Sequence, residues 1–225
     1  MVRCYIVASR WTRYLSTIRG VDKICKCGGL ETVLEAMESA QSASHLGEGE
    51  RAGVLEQGCR VLRNIAQNHC PAQTEIARLA GVGRIASAMD QHSEHAGLQA
   101  QACGALAILS VAANRAKFLS VPATWQGEAD EGVLARIVRA MSQHTQDSGV
   151  QECGCCALRN IAFFEQRLIR EAGGVERIAH AIELKGATFE TISYGRECLD
   201  MLESWDEAGA SQAKPAACMP GLFSK

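Results

Sequence analysis

Aromatic residues and prolines are scarce in this chain, neither sign of charge dominates, and no run of about 18 apolar residues occurs. Each shortage excludes something. With only 4 prolines in 225 residues, long helices are seldom interrupted. Without a long apolar run, no transmembrane helix is expected. A net charge of −2 gives no general attraction to nucleic acid or to an anionic membrane, so neither is expected as a partner. Aromatics make up 5% of the chain, and Ala, Gly and Leu are abundant in their place, which suits helices packed closely side by side. The apolar share is 47% against 21% charged, the balance of a folded chain that buries a core. Its length suits one domain or one short repeat array.

Cysteine is frequent, but the count of 11 is odd and the spacing is not that of a disulfide framework. Cys59, Cys103, Cys155, Cys156 and Cys198 fall inside apolar helical patterns. They read as reduced, small, buried hydrophobes of a cytosol-like compartment. A cytoplasmic location is expected, with the nucleus as the alternative.

Groupings that carry chemistry are missing too. Cys153 and Cys156 have the spacing of half a structural zinc site, but no second pair matches it. Two cysteines three apart on a helix simply share a face. His92 and His95 lie in a short polar stretch and read as surface histidines. Ala80-Gly81-Val82-Gly83 lacks the preceding strand and third glycine of a dinucleotide loop, and reads as a helix corner. No Ser-His-Asp set, paired carboxylates or phosphate loop stands out. No catalytic residue, metal or cofactor is expected, and the chain reads as a non-enzyme.

What is present is an internal repeat. From Gly58 the chain reads GCRVLRNIA, from Ala102 ACGALAILS, from Gly154 GCCALRNIA, and from Gly195 the degraded GRECLDMLE. Leu62, Leu106, Leu158 and Leu199 anchor the four copies. A second motif alternates with it: GLETVLEAM from Gly29, GVGRIASAM from Gly81, VLARIVRAM from Val133 and GVERIAHAI from Gly174. Val33, Ile85, Ile137 and Ile178 are each followed four residues later by Met or Ile, on the same helix face.

Met89 to Leu106, Met141 to Leu158 and Ile182 to Leu199 each span 17 residues, whereas Met37 to Leu62 spans 25. The eight extra residues fall in Glu38 to Gly53, rich in Ser, Ala, Gly and Glu, and are expected to form a longer loop. A second insertion is expected around Val121 to Gly127, a loop by its Pro and Gly. A short helix precedes each Gly-start motif, as at Gln73 to Ala80 and Gln166 to Ala172. Glycines at Gly81 and at Gly173-Gly174 then allow a sharp corner, because Gly tolerates φ > 0. Each unit is thus short helix, corner, second helix, loop, third helix, and stacked units share one core.

These motifs resemble the armadillo repeat family over roughly Asp22 to Ser204. The marks are the Gly corner, the Ile-Ala-x-Ala-Met second helix and the Gly-Cys-x-x-Leu-Arg-Asn-Ile-Ala third helix. The flavour is similar to arrays of single-celled eukaryotes and algae and to the armadillo region of leucine-rich repeat kinases. The resemblance implies an all-α, right-handed superhelical solenoid of about four repeats plus a partial N-terminal one. It implies a concave groove, lined by third helices, that takes a peptide or partner helix, with no catalytic residue and no cofactor. The chain is therefore expected to be a protein-protein interaction scaffold. The alternative is a structural subunit of a larger assembly, contacting it through convex faces and insertion loops.

Importin-alpha-like arrays carry Trp and Asn four residues apart on third helices to hold a basic peptide. Here the Asn position holds Asn64, Ile108, Asn160 and Met201, and the Trp position holds Arg60, Gly104, Cys156 and Glu197. Two asparagines match and no tryptophan does, so the familiar basic peptide is not the expected ligand. Asn64 and Asn160 are candidates to bond the backbone of a bound peptide, the alternative being bonds within the stack. Arg60, Gln57, Gln101, Ile108, Cys153 and Tyr194 extend the same face. Arg63 and Arg159 flank the asparagines and suit acidic groups, or else are paired within the protein.

Residues 1–20 carry Arg3, Arg10, Arg13 and Arg19 and no acidic residue. That fits an organelle transit peptide, or a partial repeat in which Trp11, Tyr14, Leu15 and Ile18 keep helical spacing. The Gly corner that follows favours a partial repeat over 1–21, with the array over 22–204 and a mobile tail over 205–225. An uncapped terminal repeat would also invite self-association.

Overall fold

The computed structural model describes residues 18–110 and 132–207, and every regular element among them is an α-helix. The first unit holds α1 (Ile18–Lys26), α2 (Gly29–Ser42) and α3 (Glu48–Ala66). The second holds α4 (Cys70–Arg78), α5 (Gly81–Gln91) and α6 (Ala96–Leu109). The third contributes α7 (Val133–Gln143) and α8 (Ser148–Ala162), and the fourth α9 (Gln166–Glu171), α10 (Gly174–Glu183) and α11 (Phe189–Glu207). All four second helices begin at the first residue of the motif that predicts them. The Val121 to Gly127 insertion and residues 1–17 lie outside the described residues. Helix α1 crosses the expected boundary at residue 21. Helix α11 continues three residues beyond the array's expected end at 204.

The repeat anchors form the core. Leu62, Leu106, Leu158, Ile85, Ile137, Ile178 and Met141 are fully buried, and Met37 and Met89 nearly so. Each such side chain contributes roughly 1.5–3 kcal/mol relative to exposure. Cys59, Cys103, Cys155 and Cys198 belong to the same core. Burial pushes the Cys59, Cys155 and Cys198 thiols up to about 12, so they are poor nucleophiles. No disulfide links the described cysteines.

Helix ends follow the local sequence. His69, His95 and Asp147 accept hydrogen bonds from the N–H groups of Ala72, Leu98 and Val150 at 3.0, 3.2 and 2.9 Å. They cap α4, α6 and α8. The Thr188 hydroxyl accepts from the Thr191 N–H at 3.0 Å and opens α11 in the same way. At the corners before α2 and α10, Gly28 and Gly173 sit at φ 72° and 74°. Before α5 the positive φ of 56° falls on Ala80, not on Gly81. Gly81 has another duty, and Gly174 shares it. A Cβ there would lie 2.5 and 2.6 Å from the Cγ2 atoms of Ile76 and Ile169. These glycines let the short helix press against the second helix.

The expected long loop after α2 is not one. Helix α2 runs three residues further past Met37 than α5 does past Met89, and α3 starts four residues earlier before Leu62 than α6 does before Leu106, so the two helices absorb seven of the eight extra residues and the connector one. Only residues 43–47 connect them. The Glu and Gly of the insertion form the first turn of α3, where the Glu50 carboxylate accepts from the Gly47 N–H at 3.1 Å. Carboxylates at a helix N-terminus are favourable there.

Successive units meet along two rows. Third helices follow one another as α3, α6, α8 and α11, and second helices as α2, α5, α7 and α10. Ion pairs tie the second-helix row: Arg84 to Glu38 at 3.1 Å, and the buried Arg136 to Asp90 at 2.7 Å. In each case an Arg just before the motif's Ile reaches the acid just after the preceding unit's Met. Within units two and three a buried Gln closes the loop between second and third helix. Gln99 Nε2 donates to Met89 O and His92 O, both at 3.0 Å. Gln151 Nε2 donates to Met141 O at 2.8 Å and His144 O at 2.9 Å. No helix among the described residues is long and apolar enough to cross a membrane.

Candidate interaction surface

The third-helix row carries all ten residues singled out in the sequence, but it does not present them alike. Arg60 and Asn64 are exposed, and Gln57, Arg63, Gln101 and Tyr194 are partly so. Ile108, Cys153, Arg159 and Asn160 are only 4%, 8%, 4% and 5% exposed. Those four are built into the stack rather than offered on its surface.

Asn160 shows why. Its Nδ2 donates to the Ala107 carbonyl of α6 at 2.8 Å. Its Oδ1 accepts from Arg159 Nε at 3.3 Å and Nη2 at 3.1 Å. The amide therefore joins α8 to the preceding third helix, as the within-stack alternative has it. A buried amide left without these partners would cost about 1–3 kcal/mol. Asn64, its counterpart in α3, is exposed and makes no such bond among the described residues.

Two arginines run along the row. Arg63 crosses from α3 over α6: a Cβ on Gly104 would lie 2.9 Å from its Cζ, and its Nη1 stands 3.7 Å from Cys153 Sγ. Gly104 thus leaves the bare spot over which the guanidinium passes. Arg159 pairs with Glu197 of α11 at 3.1 Å and lies over the Tyr194 ring, 4.5 Å from its centroid. Arg159 is thus ion-paired within the protein, while Arg63 has the Cys153 thiol as its hydrogen-bond partner. Arg60 is exposed and, among the described residues, bonds to Gln57 one turn away. Burial raises the Cys153 thiol, with Arg63 acting against it, and pushes the Cys156 thiol up to about 11. Neither thiol is primed as a nucleophile. No grouping of His, Cys, Asp and Glu suited to a metal ion occurs among the described residues.

What results is a strip of four consecutive helices with half-exposed polar groups of both signs: Gln57, Arg60 and Arg63, then Gln101, then Glu152, then Tyr194 and Glu197. Sequence reasoning missed Glu152 and, as partners, Asp90, Gln99, Arg136 and Gln151. A signal for Gln99, Gln151 and Arg136 existed. Gln99 and Gln151 stand seven residues before Leu106 and Leu158, and Arg136 keeps the same place beside Ile137 that Arg84 keeps beside Ile85.

Compared with known proteins, 165 residues of the chain are 32% identical to Protein aardvark of Dictyostelium discoideum. The match covers 72% of this chain and 20% of that protein, so the chain spans about a fifth of its relative's length. No family model matches the sequence. No solved structure matches it.

Proposed function

We propose that the chain is an armadillo-type superhelical solenoid of about four units with a partial unit ahead of them, working as a non-enzymatic protein-interaction scaffold. A peptide or partner helix lies along the strip formed by α3, α6, α8 and α11. One observation carries this reading: the third helices succeed one another without a break, and their shared face keeps Arg60, Gln101 and Tyr194 at least partly exposed. The motif resemblance supports it from the sequence side. Mixed charge along the strip suits a partner that is itself of mixed charge, and the scarcity of aromatics argues against a basic peptide gripped by stacking. Asn160 is left out of the contact, and Arg60 takes its place as the foremost recognition residue.

The test is affinity capture with the full chain from native lysate, read by mass spectrometry. Arg60→Glu with Gln101→Ala leaves helical content unchanged and lowers recovery of the captured partners at least tenfold. Equal recovery of the same partners refutes the strip as the binding face.

A second reading, a subunit of a larger assembly, has its own observation. Phe163 is 42% exposed and Leu168 37% exposed at the α8–α9 corner. Exposed apolar groups brought together mark contact sites. Under this reading Phe163→Ser with Leu168→Ser releases the chain from its assembly in gel filtration, and the Arg60 and Gln101 changes have no effect.

A further inference from the structure

The second-helix row keeps a charge pattern that one residue interrupts. The residue just after the motif's Met or Ile is Glu38 in the first unit, Asp90 in the second and Glu183 in the fourth, but Ser142 in the third. The residue just before the motif's central Ile is Arg84, Arg136 and Arg177 in the second, third and fourth units. Across the first boundary Arg84 meets Glu38 at 3.1 Å, and across the second Arg136 meets Asp90 at 2.7 Å. Across the third boundary α10 packs on α7, and the same register places Arg177 against Ser142. The second boundary shows how the anion is held. Asp90 takes Arg136 and, one turn further along α7, Arg139. On α10 the same two places hold Arg177, partly buried, and His180, exposed. The receiving pair is thus present, and the group facing it is a hydroxyl. Ser142 is exposed, and its Oγ donates to Val138 O at 2.8 Å. Arg139 stands three residues before it, in Arg139-Ala140-Met141-Ser142, the spacing that arginine-directed protein kinases read.

We propose that Ser142 is a phosphorylation site and that its phosphate completes the row by pairing with Arg177 and His180. A protein kinase supplies the phosphoryl group from ATP. Ser142 Oγ bonds to the γ-phosphorus, the bond from that phosphorus to the oxygen bridging it to the β-phosphate breaks, ADP leaves, and the hydroxyl proton passes to the kinase's base. Ser142 is the last residue but one of α7, and helix ends fray, so the segment opens to a kinase and then re-forms. The helix dipole disfavours an anion at that end. Asp90 nevertheless holds the same place, last but one in α5, because its cations come from the neighbouring unit. A phosphate brings about −1.5 to −2 charges and three acceptor oxygens where Asp90 brings one charge. A guanidinium answers it with parallel N–H groups. The modification therefore tightens the third boundary rather than opening it.

The test treats the full chain with ATP and an active calmodulin-dependent protein kinase, locates phosphate by mass spectrometry and follows thermal unfolding by circular dichroism. Ser142 takes up phosphate, and the melting temperature rises by about 2–4 °C, the shift that one charge-assisted pair gives a chain of this size. Ser142→Ala, treated alike, shows no rise, which separates Ser142 from any other residue the kinase modifies. Arg177→Gln takes up phosphate at Ser142 as the wild type does but gains less than half of the rise. Four results overturn the proposal: no phosphate on Ser142, a melting temperature unchanged or lowered by it, a rise that Ser142→Ala retains, and a rise of which Arg177→Gln keeps half or more. The last would give the phosphate to Arg139 on its own helix.

Discussion

The glycine that opens the third-helix motif can be tested by adding one methyl group. At Gly154 a Cβ would sit 2.5 Å from both Cγ and Sδ of Met141, itself fully buried on α7. Favourable carbon contacts begin near about 3.5 Å, so the overlap is on the order of 1 Å. Overpacking of this kind costs roughly 1–3 kcal/mol, against a gain of about 1 kcal/mol from replacing a mid-helix Gly by Ala. The second unit carries Ala102 at the equivalent place, buried along with Met89, so the frame can open enough for a methyl group. Gly154→Ala is therefore expected to destabilise by about 1 kcal/mol net. Gly49, in the first turn of α3, has nothing among the described residues within 4 Å of its Cβ position. Gly49→Ala is the matched control and should stabilise by roughly 0.5 kcal/mol. Urea titration by circular dichroism reads both as opposite shifts of the midpoint at unchanged slope. Pairing Gly154→Ala with Met141→Val should recover part of the loss as a favourable coupling. If Gly154→Ala stabilises as Gly49→Ala does, close helix approach is not the reason for the glycine.

Ala80 holds φ 56° at the corner before α5, where Gly28 and Gly173 stand in the equivalent corners. Ala80→Gly should raise stability by about 1 kcal/mol, measured as a higher melting temperature. Gln151→Ala removes the hydrogen bonds to Met141 O at the end of α7 and to His144 O in the α7–α8 loop and should cost about 1–3 kcal/mol, with faster amide exchange at His144 to Asp147. Equal exchange in mutant and wild type would refute that clasp. Burial first, and Arg51 next, hold the pKa of His92 below the usual 6.5. As pH falls through that value the unfolded chain takes up a proton that the folded chain resists, so stability declines, then levels once the lowered folded pKa is passed. His92→Gln should flatten this part of the pH–stability curve, and an unchanged slope would place the proton elsewhere.

The helical order was legible because the apolar frames are strict. Leu62, Leu106 and Leu158 must be buried, and their spacing to the preceding Met is set by helix and loop lengths that vary little. The insertion was misread because Ser, Gly and Glu together resemble a loop. Glu48 and Glu50 in fact stabilise a helix start, and the excess went into longer helices. The Gly81 corner was read as a positive φ, but close approach to Ile76 decides that residue. The surface was harder still. Asn64 and Asn160 are the same letter in the same frame, yet one is exposed and the other bonds a carbonyl 53 residues away. The carbonyl of α6 stands within reach of Asn160, and a motif does not record that.

The ion pairs along the second helices limit how such a chain can lengthen by duplication. The second unit carries both ends of the link, Arg84 and Asp90, so two copies in tandem would meet Arg to Asp and keep the pairing. The third carries Arg136, but Ser142 stands where Asp90 does. A tandem copy of it would set a mostly buried guanidinium against a hydroxyl. Growth of the gene by unit duplication is thus chemically easier at one boundary than at the next.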